Sequence, residues 1–312
     1  MFKYQVQKGN HFEELTNIQH GWDFTVAQLG PSEEESIVDL YQTPRVAYNR
    51  FRYGAAYDQR LHAKEGTLSF GLLDPGNPVT WAYDQLIPND ALTVFPNDHD
   101  MKASSPVGFC GNGMHFSEGF MASLAEKIYR RPLSALVPAV GIYLPDMIKL
   151  GALRAELRKW QQLVEFGADF RQDIIARREE SLALAIFDAL YDASSSKAQK
   201  VSVSDYAVKR ALEVIHNNEL ENILASELCK YAGCSQRTLE KSFLKRFGVT
   251  PKKYIKCLRM AQVHQGLRVS DNQGCASIIE LAGIHGFWHM GQFAADYRSI
   301  YGELPSEALS RR

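Results

Sequence analysis

Between residues 40 and 116 the large apolar side chains come in short runs broken by turn formers. "RVAYNRFRYGAAY", "GTLSFGLL", "VTWAYDQL" and "ALTVFPN" are rich in aromatic and β-branched residues, with Gly, Pro, Asn and Asp between them. Such runs predict strands, and several in succession predict a sandwich or a small barrel. From about Phe116 the spacing changes. "DMIKLGALRAELRKWQQLVEFG" (146–167) and "DIIARREESLALAIFDALYDA" (173–193) carry apolar residues at three- and four-residue intervals, which predicts helices. In the second of these, Ile175, Leu182, Ile186 and Leu190 fall near one stripe beside a charged face. That stripe fits a helix covering the sheet and fits a dimerisation helix equally well. "SSSKAQK" (194–200) is small and polar, the composition of a linker.

From Val208 onward every segment has helical spacing. "VKRALEVIHNN", "ILASELCKYAG" and "SQRTLEKSFLKRFG" follow one another, with Ser235 placed to cap the third and Gly248 to stop it. "TPKKYIKCLRMAQVHQGL" (250–267) has Thr250 as its cap and Pro251 at its first position. "SIIELAGIHG" and "FWHMGQFAADYRSIYG" complete the series. Two parts of this stretch are copies. Leu228, Gly233 and Cys234 fall on Leu281, Gly286 and Phe287 at an offset of 53. After one inserted residue, Leu239, Phe243, Phe247, Gly248 and Pro251 fall on Phe293, Tyr297, Tyr301, Gly302 and Pro305 at an offset of 54. Each copy is a short helix, a Gly-containing turn and a helix with large apolar residues at i, i+4 and i+8. That is the outline of a helix-turn-helix, present twice.

Charge sharpens this picture. The formal net charge of −1 over 312 residues hides an asymmetry: residues 201–312 hold 15 basic and 11 acidic groups, and residues 1–200 hold 20 and 25. Within Arg237 to Arg259 stand eight basic residues (Arg237, Lys241, Lys245, Arg246, Lys252, Lys253, Lys256, Arg259) and one acid, Glu240. A run of nearly one sign on a helix-turn-helix points to nucleic acid rather than to an ordinary solvated face. A helical wheel anchored on Leu239 and Phe243 puts Arg237, Glu240, Lys241 and Leu244 on the opposite side. Ser235, Gln236 and Arg237 open the helix, where base edges are usually met. Arg suits guanine and Gln suits adenine, whereas Lys245, Lys252 and Lys253 suit phosphates, which fix register without reading sequence. In the second copy Trp288, His289, Met290, Gln292 and Arg298 are the candidate contacts. Gly291, Ala294 and Ala295 leave its outer face with little to bond a base, so shape, methyl and phosphate contacts are expected there. An 18-residue helix over 250–267 would be about 27 Å long. It could hold two recognition helices near the ~34 Å spacing of successive major grooves.

"AGCSQRTLEKSFLKRFGVTPKKYI", Arg259-Met260 and "GFWHMGQFAADYRSIYGELPS" resemble the first helix-turn-helix, the linker-helix start and the second helix-turn-helix of the AraC/XylS family of bacterial transcription regulators. The resemblance covers roughly Val208 to Leu309. The "GFWHMGQFAADYR" form is most similar to the subgroup containing ethanolamine-operon regulators. Cys229 stands where the family usually has Ala. Val263 and His264 replace its usual Ala-Arg, which would remove a phosphate contact, and "RVSDNQGCAS" (268–277) is longer than in the shortest members. The resemblance implies an α+β multidomain chain: a β-rich, cupin-like barrel with flanking helices, then an all-α domain with two helix-turn-helix units. The expected domains are 1–195 for effector binding and dimerisation, 196–207 as linker, and 208–312 for DNA binding. The implied protein is a sequence-specific activator in the cytoplasm that binds promoter operator DNA as a homodimer, contacts RNA polymerase and responds to a small-molecule effector. An effector in the β domain is expected to change the protomer arrangement through the helices of 146–193 rather than to touch the DNA-binding domain, so that control lies in a dimer equilibrium or a domain-docking contact.

The remaining residues remove competing classes. Five cysteines (Cys110, Cys229, Cys234, Cys257, Cys275) form no CxxC pair and no zinc spacing, so reduced thiols are expected. His62, His99 and His115 are scattered and make no HxH-with-Glu set, so neither a metal nor another cofactor is expected. No Ser/His/Asp spacing, P-loop or strand-linked GxGxxG is present, and no catalytic residues are assigned. Aromatics such as Phe51, Tyr53, Phe70 and Trp81 are expected in a core, with a pocket as their other use. The N-terminus has no signal-peptide apolar region, and Leu133–Leu144 is too short to span a membrane. The competing reading is a β-barrel sensor or enzyme whose helical part mediates protein contacts.

Overall fold

The computed structural model describes residues 2–10, 15, 22–78, 80–82, 85–95, 100–165, 171–195, 203–217, 223, 225–269 and 277–310. Its strands are β1 (Lys3–Gly9), β2 (Trp22–Gln28), β3 (Ser36–Gln42), β4 (Val46–Arg52), β5 (Tyr57–Ala63), β6 (Thr67–Leu73) and the short β7 (Thr80–Ala82) and β8 (Gln85–Ile87). They continue with β9 (Leu92–Val94), β10 (Met101–Ser105), β11 (Cys110–Ser117), β12 (Gly141–Leu144) and β13 (Ser194–Ser195). One sheet has the order β1-β3-β4-β11-β6-β9-β12-β13 and the other β2-β5-β10-β7-β8. The described pairings are antiparallel. The two sheets stay separate and are not closed into a barrel, which corrects the expected cupin-like barrel to an open two-sheet domain. Each sheet keeps its own edge strands, because no ladder joins one to the other among the described residues.

Helices α1 (Glu118–Leu124), α2 (Met147–Glu165) and α3 (Gln172–Leu190) follow, and α2 and α3 bury their apolar faces with Tyr48, Phe70, Phe116 and Trp160 of the same domain. Of the two readings of the stripe on α3, the dimerisation one is corrected here. Ile175, Leu182, Ile186 and Leu190 are all buried in this core, at 7%, 0%, 0% and 5% exposure, so the stripe is not offered to a second copy. The face beside the stripe is not wholly solvated either. Glu179 is buried and accepts from Arg45 Nε at 2.7 Å, which ties α3 to the β3–β4 connection. A buried carboxylate survives there because it is paired.

The C-terminal part is helical: α4 (Val203–Asn217), α5 (Ala225–Ala232), α6 (Gln236–Phe247), α7 (Pro251–Val269), α8 (Ile278–Ile284), α9 (Met290–Tyr301) and α10 (Pro305–Ser310). Helix α4 begins at Val203, inside the 196–207 stretch expected to be linker; residues 196–202 lie outside the described ones. The apolar positions of both copies meet in one core with Val208, Ile215, Tyr254, Met260 and Val263. Leu29, from the segment after β2, is buried in that same core.

Candidate nucleic-acid interface

The two copies repeat in backbone as well as in sequence. Each turn has its glycine in the left-handed region, Gly233 at φ 65° and Gly286 at φ 77°, a conformation that a side chain would strain. Each second helix stops at another such glycine. The N–H of Gly248 donates to Leu244 O and that of Gly302 to Arg298 O. The expected apolar stripes, Leu239-Phe243-Phe247 and Phe293-Tyr297-Tyr301, are buried. Ser235 caps α6, its Oγ accepting from Thr238 N at 3.2 Å, so its hydroxyl already has a structural task. His289 stands at the cap position of α9 without such a bond.

Opposite the buried stripe of α6, Gln236, Arg237, Lys241 and Leu244 are exposed. Gln236 Nε2 donates to Glu240 Oε1 at 2.9 Å, which holds the amide along the helix face. Lys252 and Lys253 are exposed in the first turn of α7. A groove of ≈ 670 Å³ brings Lys252, Lys253 and Arg259 together with Trp288, His289 and Gln292, so candidates from both copies share one surface. Trp288 is 78% exposed there, and Arg298 is exposed at the far end of α9. Met290 is partly buried against the core, so it is less available than its position in sequence implied.

Three cations of the basic run are engaged elsewhere. Arg246 is buried and lies over the Trp81 ring, 5.0 Å from its centroid. Lys245 sits 3.9 Å from Asp205 and 5.9 Å from the same ring. Lys256 pairs with Asp296 at 2.9 Å, joining α7 to α9. Lys245, expected at a phosphate, therefore already has an anionic neighbour on α4.

Trp81 belongs to the first domain, and it marks a docking surface that spacing alone does not reveal. Helix α7 lies against β2. Gln28 Nε2 donates to Ile300 O at 2.8 Å, Tyr254 OH donates to Asp58 Oδ2 at 2.8 Å, and Cys257 Sγ lies 3.5 Å from Leu29 O. The sheet thus touches α6, α7 and α9 together. Burial pushes the Asp58 carboxyl up to about 6, although the Tyr254 hydroxyl and the cations Arg246, Arg60 and Lys102 favour its charged form. Burial lowers His216, at the end of α4, to about 3, assisted by Arg60 and Lys102.

The strands beneath this surface have a second face. A cavity of ≈ 90 Å³ between the sheets is lined by Gln59 and Leu61 of β5, Thr80 and Ala82 of β7, and Ala103 and Ser105 of β10. By strand alternation, Asp58, the neighbour of Gln59, and Trp81, between Thr80 and Ala82, face the helical domain, where they meet Tyr254 and Arg246. His115 also lines the cavity, hydrogen-bonded to Ser69 and Asn49. His62 is exposed beside Asp100 at 3.0 Å, and His99 lies outside the described residues. Among the described residues no group of His, Cys, Asp or Glu could hold a metal ion, and no helix is long and apolar enough to cross a membrane. Four cysteines are free; Cys275 is outside the described residues.

Residues 228–311 match the helix-turn-helix domain family. Over 105 residues the chain is 40% identical to the XylDLEGF operon transcriptional activator 1 of Pseudomonas putida, a match covering 33% of this chain and 31% of the relative. It is 28% identical over 102 residues to the probable thc operon regulatory protein of Rhodococcus erythropolis, covering 33% and 30%. A solved structure of a probable AraC family transcriptional regulator from Rhodopseudomonas palustris is 33% identical over 34% of this chain and 95% of its own, with a TM-score of 0.31. Residues 228–311 form a helix-turn-helix domain similar to that of the Pseudomonas putida activator. The chain spans under a third of the length of these two curated relatives.

The departures of this domain from the AraC/XylS pattern that it resembles take on a physical meaning. Val263 and His264 are both fully buried. His264 Nδ1 lies 2.5 Å from Tyr297 OH, and its ring stacks on Tyr301 with centroids 4.1 Å apart. The His264 side chain faces inward, joins the linker helix to α9 and offers nothing to a phosphate.

Proposed function

We propose that this protein is a sequence-specific transcription regulator that binds promoter DNA through both helix-turn-helix units and answers to a small molecule held by its first domain. The observation that carries the reading is the surface shared by Lys252, Lys253, Trp288, His289 and Gln292, with Arg237 and Lys241 exposed on α6. Phosphates would be neutralised by the lysines, while Gln236 and Arg237 reach base edges. Activation through RNA polymerase is supported by the printed role of the Pseudomonas putida relatives as transcriptional activators. The finer grouping with ethanolamine-operon regulators is supported by "GFWHMGQFAADYR".

Effector control, in this reading, runs through the docking surface rather than through a stripe on α3. Strands β5, β7 and β10 line the cavity with alternate residues and meet α6 and α7 with the others. A ligand favouring one packing of these strands shifts the balance between docked and released DNA-binding domains. For a homodimer, we assign the exposed apolar side chains Met147 and Ile148 at the start of α2 and Tyr191 after α3, which Lys149 joins by donating to Tyr191 O. Duplex binding by the full chain tests the DNA reading. Affinity should fall steeply and linearly on a logarithmic salt axis; affinity indifferent to salt would overturn it.

A further inference from the structure

We infer that the cavity between the two sheets is a site for a small uncharged molecule with an aromatic or aliphatic body, and that organic acids are excluded from it. The inference rests on the proposed effector response and names the chemical class of its ligand.

Among the described residues the wall carries no Asp, Glu, Lys or Arg. It is built largely from rings and aliphatic groups, among them Phe24, Phe51, Phe95, Met101 and Phe109. A carboxylate entering it would lose its water without gaining a cation, which strongly disfavours the charged form. His115 is already engaged by its neighbours. Its Nδ1 lies 2.9 Å from Ser69 Oγ and its Nε2 3.3 Å from Asn49 Nδ2. A neutral imidazole satisfies both neighbours, whichever way the Asn49 amide is turned, because a hydroxyl can donate or accept. The nearest polar chain adds charge of the wrong sign for an acid: Asn112, in the wall, donates to Asp74 Oδ1 at 2.7 Å. Arg50 lies 3.8 Å from that carboxylate and is not part of the wall.

Gln59, Ser105 and Asn112 of the wall already have polar partners. Gln59 Nε2 donates to Ser105 Oγ at 2.7 Å, and Asn112 Oδ1 accepts from Tyr48 OH at 2.8 Å. Recognition therefore rests on shape and apolar contact, with at most one hydroxyl or carbonyl of the ligand exchanging into this network. Size narrows the class further. At ≈ 90 Å³ the space is smaller than the ~150 Å³ of an apolar cavity that takes up benzene, so one ring or a short chain is the upper bound.

Calorimetric titration of the full chain with two matched pairs, benzyl alcohol against benzoate and n-butanol against butyrate, tests this. At least one alcohol should saturate, with its acid weaker by on the order of tenfold or more. Ala103→Phe, which fills the cavity, should abolish that saturation; Ala103→Leu should weaken it and serves if the larger residue prevents folding. The inference is overturned if neither alcohol saturates, if an acid binds as well as its alcohol, or if the filling variants bind as before. Salt-dependent duplex binding without additive, measured on the same preparations, reports separately on the DNA-binding reading.

Discussion

Tyr254 of α7 donates its hydroxyl to Asp58 of β5 across the boundary between the two domains, over 2.8 Å and a separation of 196 residues. Neither residue belongs to the recognition surface, yet together they hold the linker helix against the sheet. Tyr254→Phe removes the donor and leaves the carboxyl facing an apolar edge, a loss of about 1–3 kcal/mol. Urea unfolding should shift to lower concentration, and small-angle scattering should show a larger average size. An unchanged midpoint and size would mean that the other contacts hold the domains without this bond.

Two groups at this surface titrate with opposite effect. Asp58, raised to about 6 from 3.8, favours the docked protein below 3.8, and that advantage is lost as pH rises through 6. His216, lowered to about 3 from 6.5, favours it above 6.5, and that advantage is lost as pH falls toward 3. Between about 4 and 6 the slopes oppose each other, so the intact protein should show a nearly flat stability profile in that window. Asp58→Asn should lose stability on acidification below 6.5, and His216→Gln should lose it as pH rises toward 6. Urea midpoints measured across pH 4–7 check both; parallel profiles for the two variants would remove the assignment.

For DNA, Arg237→Ala should lose discrimination between matched and scrambled sites, at about 1–3 kcal/mol for a base contact. Lys253→Ala should weaken both alike and lower the salt slope by roughly one. Competition binding separates them, and equal losses on both DNAs for Arg237→Ala would end its base-reading role.

Ile186→Glu puts a carboxylate where the side chain is fully buried among α2, α3 and the first sheet. It should destabilise the first domain by more than about 3 kcal/mol, whatever the oligomeric state. Ile148, 83% exposed, tolerates the same change in the monomer. Ile148→Glu should keep the melting temperature and lower the sedimentation coefficient of any dimer. A folded Ile186→Glu protein with full stability would return the stripe to the surface.

The helical repeat was legible because each copy is local. Its turn glycines, its caps Ser235 and Gly248 and its i, i+4, i+8 stripes lie within about twenty-five residues, so spacing alone sets them in register. The exposed face of α6 followed from the same wheel. The docking surface did not, since Asp58, Trp81 and Tyr254 are brought together by tertiary packing between distant segments. Arg246 shows the cost of that blindness: it belongs to the basic run by sequence and to Trp81 by structure. The stripe on α3 failed for a related reason. Periodicity shows that a face is apolar, and only the fold says whether the same chain or another one covers it. Whether the strands close into a barrel depends on pairing between their edges, which alternation along each strand does not specify.

Leu29 has a bearing on how such a chain could be rebuilt. A segment contributed by the first domain sits inside the core of the helical C-terminal third, beside Cys257. The part shared with the curated relatives is therefore separable as text but not as an object. Grafting it onto a foreign sensor would leave a hole where that leucine stood, and a transplant that behaves well should bring along, or reinvent, one apolar side chain to plug it.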